Sequence, residues 1–232
     1  MSSQTRAGAW VPPGLSARVA LFDLDRTVVA GSSLVDLARV LLERDLVRRR
    51  TIVRHSLRHV LFKHRGVGDR SVERVRTAAL GVVAGCEHAA LAEAATTAGE
   101  AVADRAYPAA RWLLERHIDA GDFCVLLSAA PQELVEVVAS RLGAHRAVGS
   151  RGAVERGYLT GELDGPFCYG SGKLTRLVAE LGRVDLGAAC AYADSASDLP
   201  LLSSCRHPVA VNPDKRLERV ARERGWPLLR FA

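Results

Sequence analysis

The chain has 232 residues, 48% of them hydrophobic and 25% charged, which is long enough to bury a sizeable core and too apolar for general disorder. It contains no charge-free apolar run of about 20 residues, which excludes a membrane-spanning helix. It also starts without the basic-then-apolar pattern of a signal peptide, so a cytoplasmic location is expected. The net charge of +6 is concentrated, because eleven Lys or Arg stand against three Asp or Glu between Arg44 and Arg76, and that one segment makes the protein basic.

In chain order, residues 1–16, with Trp10, Pro12, Pro13 and Gly14, read as a loosely held leader without chemistry. Val19-Ala20-Leu21-Phe22 is a short apolar run that stops at charged residues, the pattern of a buried parallel strand reaching the carboxyl edge of its sheet. Asp23 then stands at a strand tip. From Ser33 to Arg105 the pattern turns helical, with Leu34, Leu37, Val40 and Leu41, then Val53, Leu57, Val60 and Leu61 at spacings of three and four, and an Ala-rich stretch from Ala89 to Ala103. These residues read as a helical module inserted after the first strand.

Beyond the module, Tyr107-Pro108 opens a helix through His117, and Phe123 to Leu127 is a second buried strand, expected to end at Ser128. A helix follows over Gln132–Leu142, and the glycines of Gly157-Tyr158-Leu159-Thr160-Gly161 predict a hairpin. Then come a helix over Lys173–Leu181, a strand over Ala188–Ala193, another over Pro208–Val211, a helix over Asp214–Arg224 and a last strand over Pro227–Arg230. The alternation predicts an α/β fold, a doubly wound parallel sheet formed by residues 17–32 and 106–232, with an inserted all-helical cap over 33–105. The cysteines, Cys86, Cys124, Cys168, Cys190 and Cys205, are an odd set without C-x-x-C spacing. They read as small apolar fillers rather than disulfides or zinc ligands.

Three of the predicted strand ends carry polar residues: Asp23, Ser128 and Asp194. Asp23 and Asp25, two apart on a loop after a buried strand, can face one cavity, one as nucleophile and the other handling protons; a solvated turn has the same appearance. Asp194 and Asp198 supply a second acidic strand end. A hard divalent cation such as Mg²⁺ would relieve the repulsion between the two, although Ser and Asp before Leu199 also suit a helix N-cap. Ser128 and the backbone after it can grip an anion where a helix begins, or serve as a simple turn. Lys173, in Gly170-Ser171-Gly172-Lys173, can meet phosphate oxygens or stand exposed in solvent; the segment lacks the spacing of a nucleotide P-loop.

Taken in order, Asp-x-Asp-x-Thr, a Ser after a strand, a Lys at a helix start and Asp-x-x-x-Asp after a strand resemble the four motifs of the haloacid dehalogenase superfamily, from Val19 to Val211. The helical insertion, the hairpin and Ala210-Val211-Asn212-Pro213-Asp214 resemble the branch that includes phosphoserine phosphatases. The resemblance implies a Rossmann-like core and a Mg²⁺-dependent phosphatase of small phosphorylated metabolites. Asp23 would form an aspartyl phosphate, with Asp25 as general acid and base. Asp23, the Asp25 main-chain carbonyl and Asp194 would hold Mg²⁺, with Asp198 orienting the shell or the lysine. Ser128, Ala129 and Lys173 would bind the phosphoryl oxygens, and Thr27 would support the loop.

The chain departs from that pattern at Arg26, at Ala129-Ala130 in place of a glycine pair, at Ser197 in place of Asn, and at Ser32 in place of an acidic residue that reads the substrate's amino acid end. Ser32 and Ser197 speak against phosphoserine as the substrate. On the cap, Arg54, Arg58 and Arg65 beside His55, His59 and His64 form a basic helix face, either solvated or reading an anionic or lipid-like substrate. Nucleic acid is not expected as a partner, because Phe62 is the only aromatic in that patch. The alternatives are a regulator of differentiation that keeps the fold without the chemistry, and a phosphotransferase using the same intermediate.

Overall fold

The computed structural model describes residues 18–47 and 80–232. The expected leader and residues 48–79, which carry Arg54, Arg58 and the rest of the basic face, lie outside them. Six parallel strands form one sheet, β1 (Val19–Asp23), β2 (Phe123–Pro131), β3 (Arg146–Ser150), β6 (Cys190–Ala193), β7 (His207–Val211) and β8 (Leu228–Leu229), in the order β3-β2-β1-β6-β7-β8. A separate antiparallel hairpin joins β4 (Gly152–Glu155) to β5 (Tyr158–Leu163). Chain order reverses between β1 and β6, and it is beyond the carboxyl ends at such a reversal that open α/β sheets bind ligands. The register pairs Asp23 with Leu127 and Phe22 with Tyr192, so Ser128 and Asp194 share the carboxyl edge with Asp23.

The period of two in an extended chain sends successive side chains of β1 to opposite faces. Ala20 and Phe22 join one core with α1 (Ser33–Glu43), α2 (His88–Asp104), α3 (Pro108–Asp119) and α4 (Gln132–Leu142). Leu21 joins the other core with α5 (Gly172–Leu181), α6 (Leu199–Ser204) and α7 (Lys215–Arg224). Helices on both faces explain why these strands read as unbroken apolar runs rather than as alternating ones. Among the described residues no helix is long and apolar enough to cross a membrane.

The chain leaves the sheet for α1 and returns from α2 at adjacent points. Ala30 N–H donates to the Arg105 carbonyl at 3.2 Å and Tyr107 N–H to the Val28 carbonyl at 2.9 Å. Helix α2 buries Leu91, Ala94, Ala95, Ala98 and Val102 in the same cluster as Leu134, Val135 and Val138 of α4. Its small side chains permit a close approach, since a Cβ on Gly99 would lie 2.8 Å from that of Val137. The hairpin turns at Arg156 and Gly157, both with positive φ, as a two-residue loop matched to strand twist requires. It also clasps the segment before α2: Gly85 N–H donates to the Leu159 carbonyl and Leu159 N–H to that of Cys86.

Several predicted boundaries move. Strand β2 does not end at Ser128 but runs to Pro131, with a shift in its register against β3 between Leu127 and Pro131. The strand expected from Ala188 begins at Cys190, because Ala189 N–H closes a turn on the Leu186 carbonyl. The last strand shrinks to Leu228–Leu229, since Pro227 has no N–H to give a ladder.

Candidate active site

Asp23, the last residue of β1, is buried, and both of its carboxylate oxygens are engaged. Lys173 Nζ donates to Oδ1 at 2.5 Å and Thr27 Oγ1 to Oδ2 at 2.9 Å. Lys173 is only 3% exposed, so the solvent-exposed alternative is wrong for this lysine. It sits deep because α5 starts close under the loop before it: a Cβ on Gly172 would fall 2.0 Å from the Phe167 carbonyl oxygen, an approach only glycine allows. Burial alone would depress the ammonium, but Asp198 and Asp23 outweigh it and hold Lys173 well above its ordinary value.

Asp194 and Asp198 close the other side. Ligand oxygens of Asp23, Asp194 and Asp198 all lie within 4.8 Å of one another, and all three residues are buried. Lys173 Nζ also lies 2.8 Å from Asp198 Oδ1, so the one buried ammonium is paired with both carboxylates. Burial and the Asp23 charge push Asp194 up to about 7, with Arg26 pulling the other way; burial likewise raises Asp198, against the pull of Lys173. Carboxylates packed this closely repel one another and suit a hard cation with oxygen ligands, such as Mg²⁺. The helix-cap alternative for this segment falls to Ser195 instead, whose side chain accepts from Ser197 N–H at the start of the 3₁₀ turn Ala196–Asp198.

These shifts fix a pH dependence. A carboxyl whose folded value lies above its ordinary 3.8 favours the protonated folded state, so the stability it contributes is complete below that value and is lost as pH rises through about 7. The thermal midpoint of the metal-free protein is therefore expected to fall between about pH 5 and about pH 8, and Mg²⁺ to flatten the fall by stabilising the ionised carboxylates. A metal-free midpoint that rises over that range would contradict this electrostatic picture.

The remaining predicted residues divide. Asp25 accepts from Ser33 N–H at 2.7 Å and from Ser32 Oγ at 3.4 Å. Burial raises its carboxyl, the Ser33 N–H pulls it back, and the Asp23 charge adds to the rise. Ser32 thus spends its hydroxyl on Asp25. Ser128 is buried at the edge, but it does not open a helix; its Oγ accepts from Ala130 N–H at 3.1 Å, because the extended chain continues past it. Ala129 is half-buried beside it.

Arg26 was legible only as a departure. It adopts φ +62°, and its guanidinium reaches Asp194 Oδ2 at 2.8 Å while remaining mostly exposed. Asn212, in the turn after β7, touches the loop of Asp23 and Asp25, and Asp214, at the start of the last helix, touches the loop of Asp194 and Asp198.

The family model for haloacid dehalogenase-like hydrolases matches residues 20–203. The chain belongs to that family. It is 36% identical over 222 residues to an inhibition of morphological differentiation protein of Streptomyces azureus, covering 94% of this chain and 79% of that protein. It is 35% identical over 226 residues to a phosphoserine phosphatase of Mycobacterium tuberculosis, covering 95% and 73%. A crystal structure from Bordetella pertussis, of a protein of unknown function, superposes with a TM-score of 0.77 at 25% identity, over 92% of this chain and 98% of that one. The family resemblance read from the four motifs is borne out, as is the α/β fold, and the chain is a phosphatase of this family.

Proposed function

We propose that the chain is a Mg²⁺-dependent phosphomonoester hydrolase of small phosphorylated metabolites that works through a phosphorylated Asp23. The observation that carries this reading is the position of Asp23, whose carboxylate is clamped between Lys173 and Thr27 at the sheet's reversal point, beside the Asp194 and Asp198 carboxylates. A carboxylate fixed by two donors loses little freedom when it attacks.

Asp23, Asp194 and the Asp25 main-chain carbonyl would hold Mg²⁺, with Asp198 beside them. When bound, the ion supplies charge neutralisation for the carboxylates and for the phosphoryl oxygens. An Asp23 oxygen attacks phosphorus as the bond to the leaving oxygen breaks, and the Asp25 carboxyl gives that oxygen its proton. Burial, by raising Asp25, favours the protonated form this step needs. Asp25, now a carboxylate, takes a proton from water as the water oxygen attacks phosphorus; the bond to Asp23 breaks, releasing inorganic phosphate and restoring both aspartates. Ser128, the backbone of Ala129 and Lys173 would hold the phosphoryl oxygens.

For the substrate, the M. tuberculosis relative's name points to phosphoserine, whereas position 32 offers a hydroxyl already bonded to Asp25 and no acidic group for an ammonium. We therefore expect other phosphomonoesters to be preferred. Phosphate release from a panel of sugar, polyol, amino acid and lysophospholipid monoesters, with and without chelator, tests both parts. Mg²⁺-dependent release with phosphoserine not the best substrate is expected. No release from any ester would overturn the hydrolase reading, and phosphoserine far ahead of the others would overturn the substrate reading.

A further inference from the structure

We propose that Asn212 and Asp214, on either side of Pro213 in the turn after β7, are positioning residues that set the spacing between the two acidic loops. The proposal deepens the phosphatase reading, resting on its assignment of one cation to both loops. Asp214 caps α7 with one oxygen, Oδ1 accepting from Leu217 N–H at 2.7 Å. Capping needs no more than that. Its second oxygen, Oδ2, crosses to the loop after β6 and accepts from Ala196 N–H at 2.9 Å and Ser195 Oγ at 3.3 Å, while Asp214 N–H donates to the Asp194 carbonyl at 2.8 Å. Residues 194–196 are thus pinned to Asp214, and Ser195 passes the restraint on by accepting from the Ser197 hydroxyl and N–H.

Two residues away, Asn212 holds the other loop. Its Nδ2 donates to the Arg26 carbonyl at 3.1 Å, midway between Asp25 and Thr27, while its Oδ1 accepts from Phe231 N–H at 2.8 Å and its N–H donates to the Leu229 carbonyl at 2.9 Å. Both Asn212 and Arg26 have left-handed φ, at +43° and +62°. Asparagine adopts that region readily, whereas an arginine is held there by its surroundings. Here the Asn212 amide holds the Arg26 carbonyl, and the Arg26 guanidinium on Asp194 joins the two acidic loops directly. One rigid turn therefore grips the loop of Asp23 and Asp25 and the loop of Asp194 and Asp198. A cation held by both loops binds only as well as their spacing is kept, and loss of such outer contacts typically weakens a metal site about 10- to 100-fold.

A purely structural role, helix cap for Asp214 and turn residue for Asn212, is separated from this by the choice of variants. Asp214→Ser keeps a hydroxyl able to cap α7 but is too short to span to Ala196 as well. Asn212→Gly keeps the left-handed backbone at lower strain but gives up the side-chain bonds to the Arg26 carbonyl and to Phe231 N–H. For each we would measure Mg²⁺ affinity by calorimetry without substrate, the thermal midpoint in chelator, and KM for the best ester at saturating Mg²⁺. Mg²⁺ affinity about tenfold weaker in both, with midpoint and KM close to those of the unsubstituted protein, is expected. Affinities within twofold of the unsubstituted protein overturn the proposal, as does weakening seen only where the thermal midpoint collapses. An unsubstituted protein that binds Mg²⁺, loses it in the variants, and hydrolyses no ester would sustain the strut and sink the phosphatase reading. One that binds no Mg²⁺ would sink both.

Discussion

Asp23→Asn is expected to abolish phosphate release, by on the order of 10⁴-fold or more, as removal of a covalent nucleophile does in other hydrolases, while leaving the fold intact. The amide is nearly isosteric: its oxygen can still accept from Lys173, and its NH₂ can face Thr27 Oγ1 as a donor, in place of the two bonds the carboxylate makes. It also removes a negative charge from a cluster in which Asp23 is the first neighbouring charge raising Asp194. The metal-free protein at neutral pH should therefore melt no lower than the unsubstituted one. Trapping adds a second measurement: brief exposure to substrate should leave a hydroxylamine-labile phosphoryl group on the unsubstituted protein and none on Asp23→Asn. Equal turnover by the variant would remove Asp23 from the nucleophile's role.

How much of this could be read in the sequence follows from where the information sits. Ala20 to Phe22 and Phe123 to Leu127 are buried on both faces, so burial writes itself as apolar runs that stop where the chain meets the site. Four polar strand ends and helix starts in a fixed order then carried the family. What escaped depends on contacts between residues far apart in the chain. Arg26 looks like any exposed turn arginine, and nothing local announces its left-handed backbone or its partner 168 positions away. Asp214 is legible as a helix start because a cap bond is local, but its second oxygen on Ala196 is not. In sequence Ser128 looks like the end of a strand, at a helix start or in a simple turn, but a strand's end is set by its neighbour: pairing of Pro131 with Ser150 draws β2 past the point where its apolar run stops.

Lys173→Met should damage both activity and stability, and the pattern across pH and metal distinguishes the reason. The methionine fills much of the same volume without charge, leaving Asp23 and Asp198 buried with no cation between them. Breaking a buried pair by removing one partner costs about 3–5 kcal/mol, chiefly because the surviving charge is stranded. Here two survive. Protonation removes that penalty, so the Asp198 carboxyl, already raised, should titrate still higher in the variant, and its deficit in a urea unfolding curve should be small near about pH 5 and large near about pH 8. Mg²⁺ should recover part of the deficit at the higher pH by supplying a cation to the same oxygens. Turnover at saturating Mg²⁺ should nevertheless stay about 10²- to 10³-fold down, because in the proposed mechanism Lys173 supplies a fixed positive charge to the phosphoryl oxygens that the ion does not replace. A stability loss equal at both pH values and unmoved by Mg²⁺ would mean that Lys173 matters for packing alone, and that the carboxylate cluster is not held together by charge.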